Sequence, residues 1–362
     1  MNSFRMAAKA GRARYASAFP WAKEPFIVGA PMRVISGPEL ALAVSKAGGL
    51  GFVGPGLKPE STARDLATVQ QLLKEESGNS LPVSFGGRNG LPVGVGFQVW
   101  NGDINSATRA VQQYRPCAAW LFAPRRGTPE LEEWTARLRI ASPATQVWVQ
   151  IGTVQESIEL AKSPHPPDVL VVQGAEAGGH GRATDGLGIM TLFPEVADQV
   201  LDSDMTLFAA GGIADGRGVA AALALGATGV ALGTRFLAST EARISKGYQQ
   251  EVVRARDGAH STVRTHLYNH LRGTMNWPEQ YSPRTIINKS WREHQAGIPF
   301  EVLEQRYNEA LDQGDKGWGP DGRLATYAGA AVGLVQSIAP AGNLVTSLQA
   351  ETRACLRDLR DL

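Results

Sequence analysis

The chain of 362 residues holds only two cysteines, Cys117 and Cys355. That excludes a disulfide framework or a cysteine-rich metal site, suits a reducing compartment, and leaves both thiols to be read as small buried hydrophobes. No apolar stretch is long enough to cross a bilayer uninterrupted, so no membrane partner is expected. A net charge of +2 leaves no basic excess for a nucleic-acid partner. There is no repeat beyond a strand–helix unit and no low-complexity linker. Acidic residues are missing from the start of the chain: before Glu24 the charged residues are Arg5, Lys9, Arg12, Arg14 and Lys23. This is the composition of a mitochondrial leader, or of a basic arm, residues 1–24, preceding the first strand of a cytoplasmic protein. Oligomeric state is not legible, a homodimer being one candidate.

Glycine is abundant, at 41 residues, and 43% of the chain is apolar, which suits repeated strand-to-helix turns and argues against disorder. Apolar strands are expected at 26–30, 50–53, 93–99, 118–122, 146–151, from Val169, at 206–210 and at 229–232, with amphipathic helices between them. Eight strands in this alternation predict an α/β fold, a (β/α)8 TIM barrel over residues 25–240. The Gly/Asn/Pro stretch Ser77–Leu91 is long enough to be a functional insertion. From Glu241 to Tyr327 the pattern gives helical pieces and no strand, hence a helical cap rich in Trp and Arg. Residues 328–362 then return to the barrel as helices. Such a cover would exclude water from a reactive intermediate.

Two runs carry chemistry. In Val169-Leu-Val-Val-Gln-Gly-Ala-Glu-Ala-Gly-Gly-His180 a β-branched strand empties into a glycine-rich loop holding one histidine. Glycine lets the backbone approach a bound ring or phosphate, and a histidine beside it can exchange protons. The second run, Thr206–Phe236, reads as two strand–turn–helix units in succession, with Gly226 as the stop of the first helix. Turns of this kind after the seventh and eighth strands of a barrel frequently bind phosphate.

These residues, with Pro25-Phe-Ile-Val-Gly-Ala-Pro-Met32, Gly48-Gly-Leu-Gly51, Ala224-Leu-Gly-Ala227, Gly233-Thr-Arg-Phe236 and Tyr327-Ala-Gly-Ala-Ala-Val-Gly333, resemble the nitronate monooxygenases, formerly 2-nitropropane dioxygenases, from about Pro25 to Val345. The resemblance implies a flavoprotein oxidoreductase with FMN as cofactor. It would oxidise a nitronate, a nitroalkane or a similar carbanion with O2 to a carbonyl compound and nitrite. His180 would be the catalytic base. Ala30, Pro31 and Met32 would lie against the flavin ring, Gln173 would contact it, and Gly178 and Gly179 would let the loop close over it. Gly211, Gly212, Leu232, Gly233 and Thr234 would hold the phosphate end. No metal or nicotinamide is required for that reaction. Arg182 or a cap arginine (Arg264, Arg272, Arg284 or Arg292) would hold the nitronate oxygens. The fourth strand, Ala118–Pro124, is bulkier than its counterparts in the family and would project towards the substrate.

Other readings stand beside these. One is an FMN-dependent NAD(P)H reductase or dehydrogenase of an enoyl or quinone substrate, another a non-catalytic barrel that binds a phosphate ligand. Glu176 is read as structural, holding backbone N–H groups or pairing with Arg182. Arg235 either reaches the phosphate or faces outward. His266 and His270 have metal-ligand spacing without a third ligand. Trp120 either lines the pocket or fills the barrel.

Overall fold

The computed structural model describes residues 2–76 and 90–360; most of the Gly/Asn/Pro stretch, residues 77–89, lies outside the described residues. The strands, in chain order, are β1 (Phe26–Gly29), β2 (Leu50–Val53), β3 (Leu91–Gln98), β4 (Pro116–Phe122), β5 (Gln146–Ile151), β6 (Val169–Gln173), β7 (Gly179–Arg182), β8 (Thr206–Ala210), β9 (Gly229–Leu232), β10 (Thr262–Arg264) and β11 (Tyr281–Ile286). Eight of them close a parallel barrel in the order β1-β2-β3-β4-β5-β6-β8-β9, and β9 pairs with β1 from Phe26↔Gly229 to Gly29↔Leu232. Their near-continuous burial is what a parallel sheet covered on both faces demands.

Local chemistry sets the helices between the strands. Thr153 and Glu156 form a reciprocal capping box at the start of the helix Val154–Ala161. Asp215 accepts from the N–H groups of Arg217 and Gly218 to start the helix Gly216–Ala224. Gly226, at φ +100°, stops that helix where the sequence places its end. The helix Ala341–Arg360 packs between Gly216–Ala224 and Pro38–Lys46 and so supplies the eighth barrel helix. A parallel bridge, Ser239↔Ala339, joins the two ends of the long segment that separates this helix from β9.

Two cores result. One lies between the barrel and its helices, with Val44, Leu121, Val149, Phe193 and Val345 among its buried residues. The other fills the barrel, where Phe52, Trp120, Trp148 and Phe208 meet Tyr15 and Phe19. Those last two come from the N-terminal helix Asn2–Ala18 and its exit, so the segment that by composition could be a leader closes the barrel floor. Gly11 lets this helix come close, since a Cβ there would lie 2.6 Å from the Thr228 hydroxyl oxygen.

The segment 241–327, expected to hold no strand, contributes β10 and β11. With β7 they form a three-stranded antiparallel sheet, order β10-β11-β7. His180 therefore sits in a strand, opposite Pro283, and not in a glycine loop. Gly179-His-Gly-Arg182 has no apolar alternation of its own, and Pro283 removes a donor from β11, so neither strand announces itself. The 328–339 stretch contains a 3-10 turn, Ala330–Leu334. No helix among the described residues is long and apolar enough to cross a membrane.

Candidate active site

A cavity of about 480 Å3 opens at the C-terminal ends of the barrel strands, beneath the inserted segment. That is where barrel enzymes build their sites, because the loops after all eight strands converge there. Ala30, Pro31 and Met32 line it immediately after β1. The turn is held because Ala30 N–H donates to the Leu232 carbonyl and Met32 N–H to the Ser36 hydroxyl, at 3.0 and 2.8 Å. Gln173 lines the cavity at the end of β6, joined by Gln98 at the end of β3 and Gln150 near the end of β5. Trp120 does both things its sequence context allows. It fills the barrel, 2% exposed and stacked on Trp148, and its indole N–H donates to Gln150 Oε1 at 3.2 Å on the cavity floor.

Glycine turns make the opposite wall. Gly211 and Gly212, after β8, adopt φ +87° and +74°, conformations that a side chain would strain. Gly233 and Thr234 follow β9, and Thr234 Oγ1 accepts from Gly329 N–H at 2.9 Å. Gly178 is packed so closely on the 328–329 backbone that a Cβ would fall 2.4 Å from the Ala328 carbonyl carbon. Gly179, by contrast, has nothing within 4 Å of its Cβ direction. Of the residues expected to hold the cofactor, Leu232 alone does not line the cavity; it is buried in the outer core, and only its carbonyl supports the site.

His180 faces the cavity between elements distant in sequence. Its ring stacks on Trp277, with centroids 3.5 Å apart and planes 8° apart, and lies 6.0 Å from the Tyr327 ring. Its Nε2 is 2.9 Å from Asn269 Oδ1. Burial pushes its pKa down to about 3; the Asn269 bond opposes this, while Arg264, Arg272 and His266 add to it. The imidazole is therefore neutral at physiological pH.

No aspartate or glutamate lines the cavity among the described residues, whereas Arg33, Arg243 and Arg272 do. Arg243 is paired with Asp65 and Glu39. Arg272 donates to the Tyr327 hydroxyl at 2.9 Å and lies over its ring. Arg33 keeps a buried Nε without a partner among the described residues, and its pKa is lowered by burial and by Arg272. Two guanidinium groups thus face the cavity with no carboxylate to balance them.

The remaining sequence candidates take structural posts. Glu176 accepts from Ile189 N–H through both oxygens, at 3.0 and 3.1 Å, and caps the helix Ile189–Gln199. It does not pair with Arg182, whose partners are Asp185 and Glu156. Arg264 and Arg284 turn inward to the carbonyls of the 175–179 loop, and Arg292 binds the Pro320 carbonyl at the surface. Arg235 donates to the Ser337 carbonyl, away from the cavity. His266 and His270 stand with ring centroids 6.5 Å apart, and among the described residues no three His, Cys, Asp or Glu groups converge as metal ligands. Cys117 and Cys355 are half-buried, not buried. Among the site residues that escape a reading of sequence are Gln98, Gln150, Arg33, Asn269 and Trp277. A polar residue closing an apolar barrel strand is a usable signal for the first two. Asn269 shows only as an amide in the otherwise apolar turn Leu267–Leu271.

Comparison with known proteins agrees with this geometry. The family model for nitronate monooxygenase matches residues 139–351. The chain is 59% identical over 341 residues to a nitronate monooxygenase of Metarhizium robertsii, covering 94% of each chain. It is 34% identical to a nitronate monooxygenase of Neurospora crassa, covering 98% of this chain and 96% of that one. Among solved structures, FabK of Thermotoga maritima superposes with a TM-score of 0.72 at 24% identity, over 96% of this chain and 98% of that one; that likeness is one of fold. Sequence identity across nearly the whole length, on a barrel with this site, places the chain in the nitronate monooxygenase family.

Proposed function

We propose that the chain is an FMN-dependent monooxygenase that oxidises a nitronate, or the nitroalkane from which it forms, with O2 to a carbonyl compound and nitrite. The family is flavin-dependent, and the residues present fit such a cofactor. The glycine turns at 211–212 and 233–234 leave room for a phosphate among backbone N–H groups, and Gln98, Gln150 and Gln173 offer amides to a ring edge. Ala30, Pro31, Met32, Gly178 and Gly179 would flank the ring. Bound there, the flavin supplies an acceptor for the electrons of the nitronate.

The observation that carries the reading is a cavity that no carboxylate lines among the described residues, in which a neutral histidine meets two unbalanced arginines. A nitroalkane gives its α-proton to the imidazole; the C–H electron pair stays on the substrate as the nitronate anion, and the histidine becomes imidazolium. That anion favours the imidazolium against the burial and the cationic neighbours that depress the free imidazole. Arg272, the cap arginine that lines the cavity, holds the nitronate oxygens together with Arg33. Trp277 and Tyr327 cover the site from the inserted segment and exclude water. The half-buried, unpaired cysteines suit a reducing compartment such as the cytoplasm.

The test is anaerobic mixing of the purified yellow protein with propyl-2-nitronate, and separately with NADH and NADPH, following flavin absorbance. Loss of oxidised flavin with nitronate alone, and nitrite once air is admitted, is the expected result. Bleaching by a nicotinamide with no response to nitronate would overturn it in favour of a reductase of conjugated carbonyls.

A further inference from the structure

Asn269 is a buried amide whose position matters more than its surroundings require. It is 2% exposed in the turn Leu267–Leu271, whose other buried members, Leu267, Tyr268 and Leu271, pack on Leu303, Tyr307 and Leu324. Its backbone is already tied, with N–H donating to the His266 carbonyl at 2.9 Å and its carbonyl accepting from Thr274 N–H at 2.8 Å. The side chain is therefore held at a fixed place beside His180, and an amide removed from water needs a partner. Its Oδ1 finds one in His180 Nε2, at 2.9 Å, across 89 residues of sequence.

We propose that Asn269 is a positioning residue that keeps the His180 proton on Nε2 and leaves the Nδ1 lone pair free to take a proton from the substrate carbon. An amide oxygen only accepts, so the facing nitrogen must carry the hydrogen. Nδ1 makes no hydrogen bond to any described residue, and stacking on Trp277 fixes the plane in which it points. An amide, unlike a carboxylate, orients the ring without holding it as imidazolium, so the histidine stays able to accept. The charged and titratable groups around the ring are Arg264 on β10, His266 and Arg272 on either side of the Asn269 turn, and Tyr327. None of them is a carboxylate that could replace the amide. In the step itself the C–H bond breaks, the Nδ1–H bond forms, the electron pair remains on the substrate as nitronate, and the ring becomes cationic with both nitrogens protonated.

The inference rests on the function proposed above, and the test separates the two. Wild-type holoenzyme and the variants Asn269→Leu and Asn269→Asp are assayed with 2-nitropropane, which must lose a proton, and with preformed propyl-2-nitronate, which need not. The leucine side chain matches the amide in size but accepts nothing. Asn269→Leu is expected to lose on the order of 100-fold or more in kcat/KM for the nitroalkane. Its activity on the nitronate should stay within about threefold, because proton abstraction is bypassed. Asn269→Asp still accepts from Nε2–H and should restore nitroalkane oxidation, with the acid limb of its pH profile displaced upward because the carboxylate favours imidazolium. Should the leucine variant not retain flavin, the aspartate variant decides alone, its acid limb moving for nitroalkane and not for nitronate. Equal loss on both substrates, loss on neither, or no displacement in the aspartate variant overturns the proposal. So does a wild-type enzyme that oxidises nitronate but not 2-nitropropane, which leaves nitronate oxidation standing. A wild-type enzyme inactive on nitronate fails the proposed function itself.

Discussion

Burial, with Arg264, Arg272 and His266 nearby, holds His180 at about 3, against an ordinary value of 6.5. The linkage has a definite sign. Between pH 6.5 and 3 the unfolded chain binds a proton at this residue that the folded protein does not, so the folded state loses stability as pH falls through that window. At pH 5 the loss from this one group is about 2 kcal/mol. His180→Gln keeps a polar side chain and removes the titration. Urea unfolding at pH 7.5 and pH 5 should show a smaller acid-induced drop in the variant than in wild type. An equal drop would mean that the histidine is not held neutral in the fold. At this scale His180 and its glycines are legible because they are contiguous in sequence. Asn269 and Trp277 are not, since nothing in a linear chain ties them to a histidine about 90 residues earlier.

The loop that leads into the His180 strand is shaped by an arginine with no anionic partner among the described residues. Arg264, on β10, donates to the carbonyls of Ala175, Ala177, Gly179 and Ser282. Burial and the neighbouring Arg284 push its pKa down to about 10, so it remains cationic at neutral pH. Carbonyls drawn towards this side chain fix the path of the glycine loop against the cavity. Replacing it with methionine leaves those carbonyls without their donor, at a cost of about 3 kcal/mol on the scale of hydrogen bonds to charged groups. Arg264→Met should melt at a lower temperature and release the proposed flavin more readily, as followed by flavin fluorescence. A variant with unchanged flavin retention would show that the loop holds its path without the clamp. The same sheet marks where sequence stops informing on fold. Val169–Gln173 and Gly229–Leu232 are strands by their own composition, because a buried parallel strand must be apolar throughout. Thr262–Arg264 is three residues long, β11 contains Pro283, and β7 is half glycine. These become strands only by pairing with one another, which is tertiary information.

At the scale of the whole molecule the site depends on a barrel closed at the end opposite its mouth. Tyr15, from the N-terminal helix, enters that floor with its ring centroid 4.4 Å from Phe26, 5.0 Å from Phe208 and 6.1 Å from Trp148. Trp148 stacks in turn on Trp120, the floor of the cavity, so one aromatic column runs from the N-terminal helix to the active site. Removing the ring should therefore be felt along the column. Tyr15→Ala is expected to cost about 3–5 kcal/mol, the range for deleting a buried aromatic. Tyr15→Phe should do the reverse. The Tyr15 hydroxyl is buried with no partner among the described residues, and its loss removes an unmet desolvation penalty of about 1 kcal/mol or more. Thermal unfolding of the two variants would then bracket wild type, alanine below and phenylalanine above. If both left the melting temperature unchanged, the helix would be an appendage, and the barrel floor would hold without it.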